Sequence, residues 1–308
     1  FWLHNFAAEN SAEGLAEETL RLARVFDWDF LKPQSRAQCF AEMWGLTYTP
    51  SGEKATPYTV THAPVADAAD LGRLRPADPR TGALGEQLAA LRLIRAAVGA
   101  DVPIIWTVFA PPMILPMLAR GGRDQALGFL RTAPGESAHA FDAMAETLGE
   151  YGRLCLEAGA DGLFYATNVA MRGLLTAEEC RRWQRPWDRR ILEAVERAPF
   201  NLLHVCGAGI HFDEFADYPV AAWSFAQGPG NPTLADAKAR TGRAVVGGLP
   251  AKPEIAGMTE TALVERARAA TRETNGRGLL LGPDCSINPD TPEGLLHAVG
   301  AVVRDGAS

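Results

Sequence analysis

Short apolar segments alternate with helical segments along almost the whole chain, and this alternation restricts the possible folds more than any other feature. Val102 to Phe109 and Ala244 to Leu249 are apolar at most positions rather than at every second one. Strands of that kind are typical of a parallel sheet covered on both faces, with helices as the crossovers. The candidate strands occupy residues 1–6, 27–33, 102–109, 162–167, 201–207, 220–225, 244–249 and 278–282.

Eight such units predict an α/β fold of the (β/α)8 barrel type, formed by residues 1–308 as a single domain. A doubly wound open sheet is the alternative, but the first strand-to-helix turn lacks a G-x-G-x-x-G motif. The chain also lacks a P-loop motif. The clearest predicted helices are 11–26, 84–98, 139–158, 176–198, 233–241, 259–274 and 292–303.

Residues 46–62 do not follow this alternation. Tyr48 and Tyr58 lie on either side of the turn sequence Pro-Ser-Gly-Glu, with β-prone residues around them. Two such runs joined through a glycine-containing turn predict a β-hairpin. We therefore expect a small hairpin inserted into the barrel.

Charge and composition argue against several classes of partner. The formal net charge is -7 and no basic run occurs, which argues against a nucleic-acid partner. No apolar run reaches the roughly 18 to 20 residues of a membrane span, and no signal peptide is visible. The five cysteines do not suggest a disulfide framework, so we expect a reducing, cytoplasmic location. Because the chain begins at Phe1 rather than Met, the sequence leaves open a preceding targeting segment.

Two soft metal ligands lie at the end of one predicted strand. His204 and Cys206 are two residues apart, so their side chains point the same way in an extended strand. Cys285 follows the predicted strand 278–282. Three protein ligands with one open position are typical of catalytic zinc, whereas structural sites use four. The sequence therefore predicts a zinc site made by these three side chains, with the adjacent Asp284 orienting the histidine.

A simpler interpretation exists for each ligand taken alone. A single histidine in a strand is more often a hydrogen-bonded core residue, and a single cysteine a small buried one. Cys155 and Cys180, which lie in predicted helices, are interpreted in this way. The zinc interpretation depends on finding His204, Cys206 and Cys285 together at strand ends.

Other side chains at the predicted strand ends are candidates for binding a small-molecule substrate. Tyr165 and Asn168 would orient a polar substrate, although a tyrosine at a strand end also serves in packing. Lys32 would hold a carboxylate or sulfonate, with a surface lysine as the alternative. His4 would line the mouth of the barrel, and Trp223 would form an apolar wall unless it packs in the core.

Several stretches together resemble the uroporphyrinogen decarboxylase superfamily, which includes zinc-dependent methyltransferases that act on coenzyme M and related thiols. The resemblance covers nearly the whole chain and implies a (β/α)8 barrel. The pattern His-x-Cys followed by a late Cys is its most specific part, since the methyltransferase branch carries these residues as zinc ligands. The stretches are Val108-Phe109-Ala110-Pro111, residues 157–162, His204-Val205-Cys206-Gly207, residues 231–249, Gly282-Pro283-Asp284-Cys285 and residues 289–292.

The chain departs from the decarboxylase branch of that superfamily in two places. The resemblance leads one to expect paired arginines near the N-terminus, where residues 2–5 read Trp-Leu-His-Asn. It also leads one to expect an aspartate after the second strand, and none occurs between Thr47 and His62. The chain departs from the methyltransferases too, because the strand end at residues 223–226 has no acidic residue, which leaves a fourth zinc ligand unassigned.

These observations predict a zinc-dependent methyl- or alkyltransferase in which zinc activates a thiol-type acceptor. The methyl donor would be a methylcorrinoid, a methylated pterin, or a methyl group on sulfur or nitrogen. A corrinoid would be carried by a separate corrinoid protein. The alternative within the superfamily is a decarboxylase or C–S lyase, and a third hypothesis is a non-catalytic carrier of small molecules.

Overall fold

The computed structural model describes residues 1–306 of the chain. Its strands, in chain order, are β1 (Thr47–Thr49), β2 (Thr59–His62), β3 (Ile105–Phe109), β4 (Gly162–Thr167), β5 (Leu202–Val205), β6 (Ala222–Phe225), β7 (Ala244–Leu249) and β8 (Leu279–Pro283). Its helices are α1 (Ala12–Phe26), α2 (Cys39–Glu42), α3 (Ala68–Leu71), α4 (Gly82–Val98), α5 (Pro111–Leu118), α6 (Gly122–Thr132), α7 (Pro134–Glu157), α8 (Ala177–Glu193), α9 (Leu234–Thr241), α10 (Glu260–Glu273) and α11 (Glu293–Gly306).

Strands β3 to β8 form one parallel sheet in which neighbours in sequence are also neighbours in space. The two remaining predicted barrel strands appear as single parallel bridges, one at each edge of this sheet. Leu31 pairs with Ile104 just before β3, and Leu3 pairs with Ile287 just after β8. Backbone pairing therefore runs from the second predicted strand through the sheet to the first. The α/β class and the barrel order are confirmed, with strands one and two reduced to short pieces.

The pairing register assigns each strand position to one of the two faces of the sheet. His204 pairs with Ala166 of β4 on one side and with Ser224 of β6 on the other. Paired residues in adjacent strands project from the same face, and neighbours along a strand project from opposite faces. The face that carries His204 is called the inner face below. Tyr165, Leu203 and Trp223 share one register row and project from the outer face, toward the helices.

Local sequence signals explain most helix boundaries. Thr176 accepts the N–H of Glu179, and the Glu179 carboxylate accepts the N–H of Thr176, so a capping box starts α8. Helix α6 was not predicted, and α7 begins at Pro134 rather than near residue 139. Proline is tolerated in the first turn of a helix, which accounts for the earlier start of α7.

The predicted hairpin is present, since β1 and β2 pair in an antiparallel two-stranded sheet. Tyr48 and Tyr58 stack edge to face across it, with ring centroids 5.1 Å apart. Among residues 1–306, no helix is both long and apolar enough to cross a membrane. A single domain, a cytoplasmic location and the absence of a nucleic-acid partner stay predictions.

Candidate metal centre

Three potential metal ligands converge on the inner face, at the carboxyl ends of β5 and β8. One ligand atom each from His204, Cys206 and Cys285 lie within 4.8 Å of one another. The Sγ atoms of the two cysteines are 3.5 Å apart, although 79 residues separate them in the chain. His204 is buried and both cysteines are partly buried. The carboxyl ends of parallel strands are where barrel enzymes keep their active sites.

Ser224 determines which nitrogen of His204 is free to bind a metal. Its hydroxyl lies 2.9 Å from Nδ1 of His204, one strand away on the same register row. Nε2 of His204 is buried and has no hydrogen-bond partner among the described residues. An imidazole held through one nitrogen presents the other as a ligand in a defined orientation. The prediction that Asp284 orients His204 is wrong, because Ser224 occupies that place.

The two cysteine sulfurs share one proton in this arrangement. A hydrogen bond from the Cys206 thiol lowers the pKa of Cys285 well below its usual range, and His204 and the N–H of Ser286 add to this effect. The same bond raises the pKa of Cys206. The hydrogen bond therefore favours the thiolate form at Cys285 rather than at Cys206. A thiolate is the form of cysteine that binds metal ions.

The backbone after Cys206 is confined to one path. The N–H of Cys206 donates to the carbonyl of Thr167, 2.8 Å away, and so continues the pairing of β5 with β4. Gly207 then has a φ of 115°, a region that side-chain-bearing residues avoid. A Cβ at Gly207 would lie 2.1 Å from Sδ of Met171. The positive φ is therefore the main reason for glycine next to this ligand, and any larger residue would also have to displace the flexible side chain of Met171.

An aromatic layer lies beneath the ligands. The ring of Phe164 stacks on that of His204 with centroids 5.1 Å apart, and Trp2 meets His204 edge to face at 6.1 Å. Nζ of Lys32 lies 4.6 Å from the centroid of Phe164 and 5.8 Å from that of Trp2. Burial lowers the pKa of Lys32 to about 7, with Cys285 and Glu9 acting in the opposite direction. A buried amine therefore lies on the inner face, close enough to Cys285 for a charge on that sulfur to raise the pKa of the amine.

A chain of hydrogen bonds holds this amine. Nζ of Lys32 donates to Oε1 of Gln34 at 2.5 Å, and Nε2 of Gln34 lies 3.0 Å from Nε2 of His4. Nδ1 of His4 is 2.7 Å from the buried carboxylate of Glu9. The predicted candidates Lys32 and His4 are thus brought together. Gln34 and Glu9, which link and anchor them, complete the set.

Tyr165 and Trp223 lie on the outer face rather than at the ligands. The hydroxyl of Tyr165 donates to Asp188 of α8 at 2.6 Å, and the side chain is fully buried. Trp223 packs on Phe212 with ring centroids 4.6 Å apart. Both are therefore packing residues in the layer between sheet and helices, which corrects their assignment to the mouth. The physical reason is the alternation of side chains along a strand.

Asp284 directly precedes the ligand Cys285, and Asn168 follows β4, the strand that pairs with β5. Asn168 is two positions beyond Ala166, the register partner of His204, and its Oδ1 has no partner among the described residues. Asp284 is buried next to Cys285, and burial raises its pKa to about 7. One of its oxygens likewise has no described partner. Unpartnered buried oxygens at a strand end are suited to binding a polar group.

The donor set fits a zinc ion. Two sulfurs and one imidazole nitrogen form a combination that zinc accepts, and it leaves one position open for a substrate. Nε2 of His204 is buried without a hydrogen-bond partner, and a metal ion at this position would satisfy it. His204, Cys206 and Cys285 would hold the ion, and Ser224 would hold the histidine ring.

Comparison with known proteins places these features in a family. The family model for uroporphyrinogen decarboxylase (URO-D) matches residues 4–306. A uroporphyrinogen decarboxylase of Sorangium cellulosum is 28% identical over 248 residues, covering 78% of this chain and 69% of that protein. A methylated-thiol–coenzyme M methyltransferase of Methanosarcina mazei is 28% identical over 231 residues. The match covers 71% of this chain but only 57% of the methyltransferase.

The fold has a near match among solved structures. A methyltransferase from Methanosarcina mazei superimposes with a TM-score of 0.84, covering 98% of this chain and 87% of that one. Its sequence identity of 22% makes this a likeness of fold alone. The relatives thus carry the names of decarboxylases and of methyltransferases.

Proposed function

Since the chain belongs to the uroporphyrinogen decarboxylase family, we propose that it is a zinc-dependent methyl- or alkyltransferase with a thiol-type acceptor. The observation that carries the proposal is the convergence of His204, Cys206 and Cys285, together with the buried Nε2 of that histidine, which has no described hydrogen-bond partner. A methyltransferase among the relatives acts, by its name, on a methylated thiol and coenzyme M. That chemistry agrees with a ligand set rich in sulfur.

Zinc held by two thiolates and one imidazole supplies a site that binds a thiol as its thiolate near neutral pH. The residues of the chain prepare this site. Ser224 keeps the His204 ring in one orientation, and in the metal-free protein the hydrogen bond from Cys206 favours the thiolate form of Cys285. Phe164 and Trp2 cover the lower side of the histidine and exclude water there.

Lys32 and Asn168 are the proposed contacts of the acceptor. The Lys32 amine uses one donor on Gln34, and an ammonium has three, so donors are left for a carboxylate or sulfonate of the substrate. Asn168 contributes an unpartnered amide oxygen. His4 would act through Gln34 by holding the amine in place. The methyl donor is proposed to be a methylated thiol or a methylcorrinoid, the latter brought by a separate corrinoid protein.

The decisive experiment is metal analysis of the purified protein and of two ligand variants. We expect about one zinc per chain, lost in both Cys206→Ser and Cys285→Ser. Cys180→Ser is the matched control, because Cys180 is a buried cysteine of α8 that bonds to none of the three ligands. Zinc-loaded protein would then be screened with thiols and methyl donors for transfer.

Protein purified without chelators that contains no zinc would refute the metal-dependent proposal. Zinc that persists in both ligand variants would refute it equally. The metal-free decarboxylase or C–S lyase of the same family would then be the function to test. A zinc-loaded protein that transfers no methyl group from any donor would favour a carrier of small molecules.

A further inference from the structure

The pairing of β5 with β6 stops just before the ligand Cys206. The last paired residues are Val205 and Phe225. Beyond them, two carbonyl groups emerge side by side, those of Gly207 and Ala226. The Nδ2 group of Asn231 donates to both, at 2.9 Å and 2.7 Å respectively. The side chain of Asn231 therefore continues the link between the two strands where the backbone can no longer do so.

The third bond of Asn231 fixes the orientation of its amide. Oδ1 accepts the N–H of Ile210 at 2.9 Å, while both N–H groups face carbonyls. A flipped amide would face two carbonyls with an oxygen and an N–H with another N–H. One side chain thus holds residues 207–210 and the end of β6 in a single arrangement, with no freedom to turn over.

The loop after Cys206 has further ties, but none of these reaches Gly207. Met171 bridges Ile210 in antiparallel fashion, and the N–H of Arg172 donates to Gly209 at 2.9 Å. These bonds begin two residues after Gly207. Among the described residues, the Nδ2 group of Asn231 is the hydrogen-bond donor to the Gly207 carbonyl. Gly207 directly follows Cys206 in the chain. The hydrogen bond from Asn231 to its carbonyl therefore fixes the direction of the backbone after Cys206.

We propose that Asn231 is the positioning residue of the metal centre, which holds the backbone after Cys206 so that its sulfur stays beside Cys285. The inference rests on the proposed metal site and goes further by naming what aligns one of its two ligands that lie beyond a strand end. His204 lies within a strand paired on both sides, whereas Cys206 lies one residue beyond its strand. Loss of the Asn231 donors would therefore move Cys206 more than His204.

The test compares two asparagines at opposite ends of β5. Asn231→Asp keeps the shape and the acceptor but replaces both donors with an oxygen that faces two carbonyls. Asn201→Asp is the matched control at the other end, where Oδ1 accepts from Leu163 at 2.9 Å and Nδ2 donates to Val195 at 2.8 Å. Asn231→Ser removes the bonds without adding charge, in case the aspartate variant folds poorly.

Cobalt(II) is the spectroscopic probe, because sulfur-to-cobalt charge transfer reports how many thiolates bind the ion. We expect Asn231→Asp to lose about half of this absorption per bound cobalt, as Cys206→Ser should, and to bind zinc roughly 10- to 100-fold more weakly. Asn201→Asp should keep the absorption and the affinity of the unmodified protein. A change in overall stability alone would move both variants together.

A metal-free measurement separates this inference from the proposed function. Diamide, a mild thiol oxidant, should join Cys206 to Cys285 in the unmodified protein and in Asn201→Asp, and much more slowly in both Asn231 variants. An unmodified protein that binds no metal would sink the proposed function, while the cross-linking rate would still decide the role of Asn231. Unchanged rates and spectra in Asn231→Asp, or equal losses in both aspartate variants, would overturn the inference.

Discussion

Two polar clusters lie on opposite faces of the same parallel sheet and differ in how far their hydrogen bonds are satisfied. In the outer cluster, the Asp188 carboxylate accepts from Tyr165 at 2.6 Å and from Tyr218 at 3.0 Å. Each of its oxygens has a donor. In the inner cluster, Nε2 of His204 has no described partner, and the Cys206 thiol donates only to the sulfur of Cys285.

The difference separates stability from binding. A buried polar cluster that satisfies itself helps to hold the fold together, whereas an unsatisfied one costs free energy until a ligand arrives. The outer cluster, made by Tyr165, Asp188 and Tyr218, ties β4 and the segment before β6 to α8. The inner cluster, made by His204, Cys206 and Cys285, should contribute little to stability until a metal binds to them. Substitutions on the two faces should therefore have opposite signatures.

Addition of zinc should have the largest effect, and only through the inner cluster. At a zinc concentration 1,000 times the Kd, the free energy of unfolding of metal-free protein should rise by about 4 kcal/mol, because only the folded state binds tightly. Chemical denaturation with and without a chelator measures this. Cys285→Ser should show no such rise and Asp188→Asn the full rise. Equal stabilisation of Cys285→Ser would break the comparison.

Removal of the outer carboxylate should come next. Asp188→Ala leaves the buried hydroxyls of Tyr165 and Tyr218 without an acceptor, and each unsatisfied group costs about 1–3 kcal/mol. We expect a loss of about 3 kcal/mol in the free energy of unfolding, measured by urea denaturation. The zinc affinity of the folded protein should stay within about twofold. A large loss of zinc affinity in a variant that folds would show that the two clusters are coupled.

The pH profile of stability should report the outer carboxylate. Burial raises the pKa of Asp188 to about 7, so the folded state keeps a proton that the unfolded state releases near its ordinary pKa. The contribution of Asp188 to stability should therefore be largest below about pH 4 and fall as pH rises to about 7, by at most about 1.4 kcal/mol per pH unit.

Asp188→Asn cannot titrate and isolates this contribution. Urea denaturation of metal-free protein at several pH values gives the free energy of unfolding of both proteins. Between pH 4 and pH 7, the unmodified protein should lose stability relative to Asp188→Asn. Asp284, whose pKa is also raised to about 7, is present in both and cancels in the difference. A difference that is flat with pH would mean that Asp188 titrates normally.

The smallest effect is expected from Trp223→Phe. Its indole N–H is buried without a described partner, and the ring packs on Phe212 outside the barrel. Phenylalanine keeps most of that contact, so the free energy of unfolding should change by less than about 1.5 kcal/mol. Zinc and thiol affinity, measured by competition, should be unchanged. A tenfold loss of thiol affinity would show that Trp223 contributes to substrate binding after all.

Much of the fold and the ligand set could be predicted from local patterns. Apolar runs and intervening helices located all six strands of the sheet, and two soft ligands spaced by two residues at a strand end pointed to the candidate metal site. Helix α6 was missed. Strands one and two were overestimated, because their pairing is limited to the bridges of Leu3 and Leu31.

The faces of the strands could not be predicted, which explains the errors at Tyr165 and Trp223. Strands β4 and β6 are buried at every position, so their sequences do not alternate between polar and apolar residues. Without alternation, nothing in a single strand tells the inner face from the outer one. The same uncertainty concealed Ser224, whose role follows only from its register with His204.

The sequence alone thus settled which residue types are available for chemistry and at which strand ends they stand. The assembled barrel settled which of them meet: Cys206 with Cys285, His204 with Ser224, and Tyr165 with Asp188 rather than with a substrate. Each of these partners comes from a different element, between 20 and 79 residues away. Contacts at that distance depend on strand register and side-chain direction, which exist only once the elements have packed together.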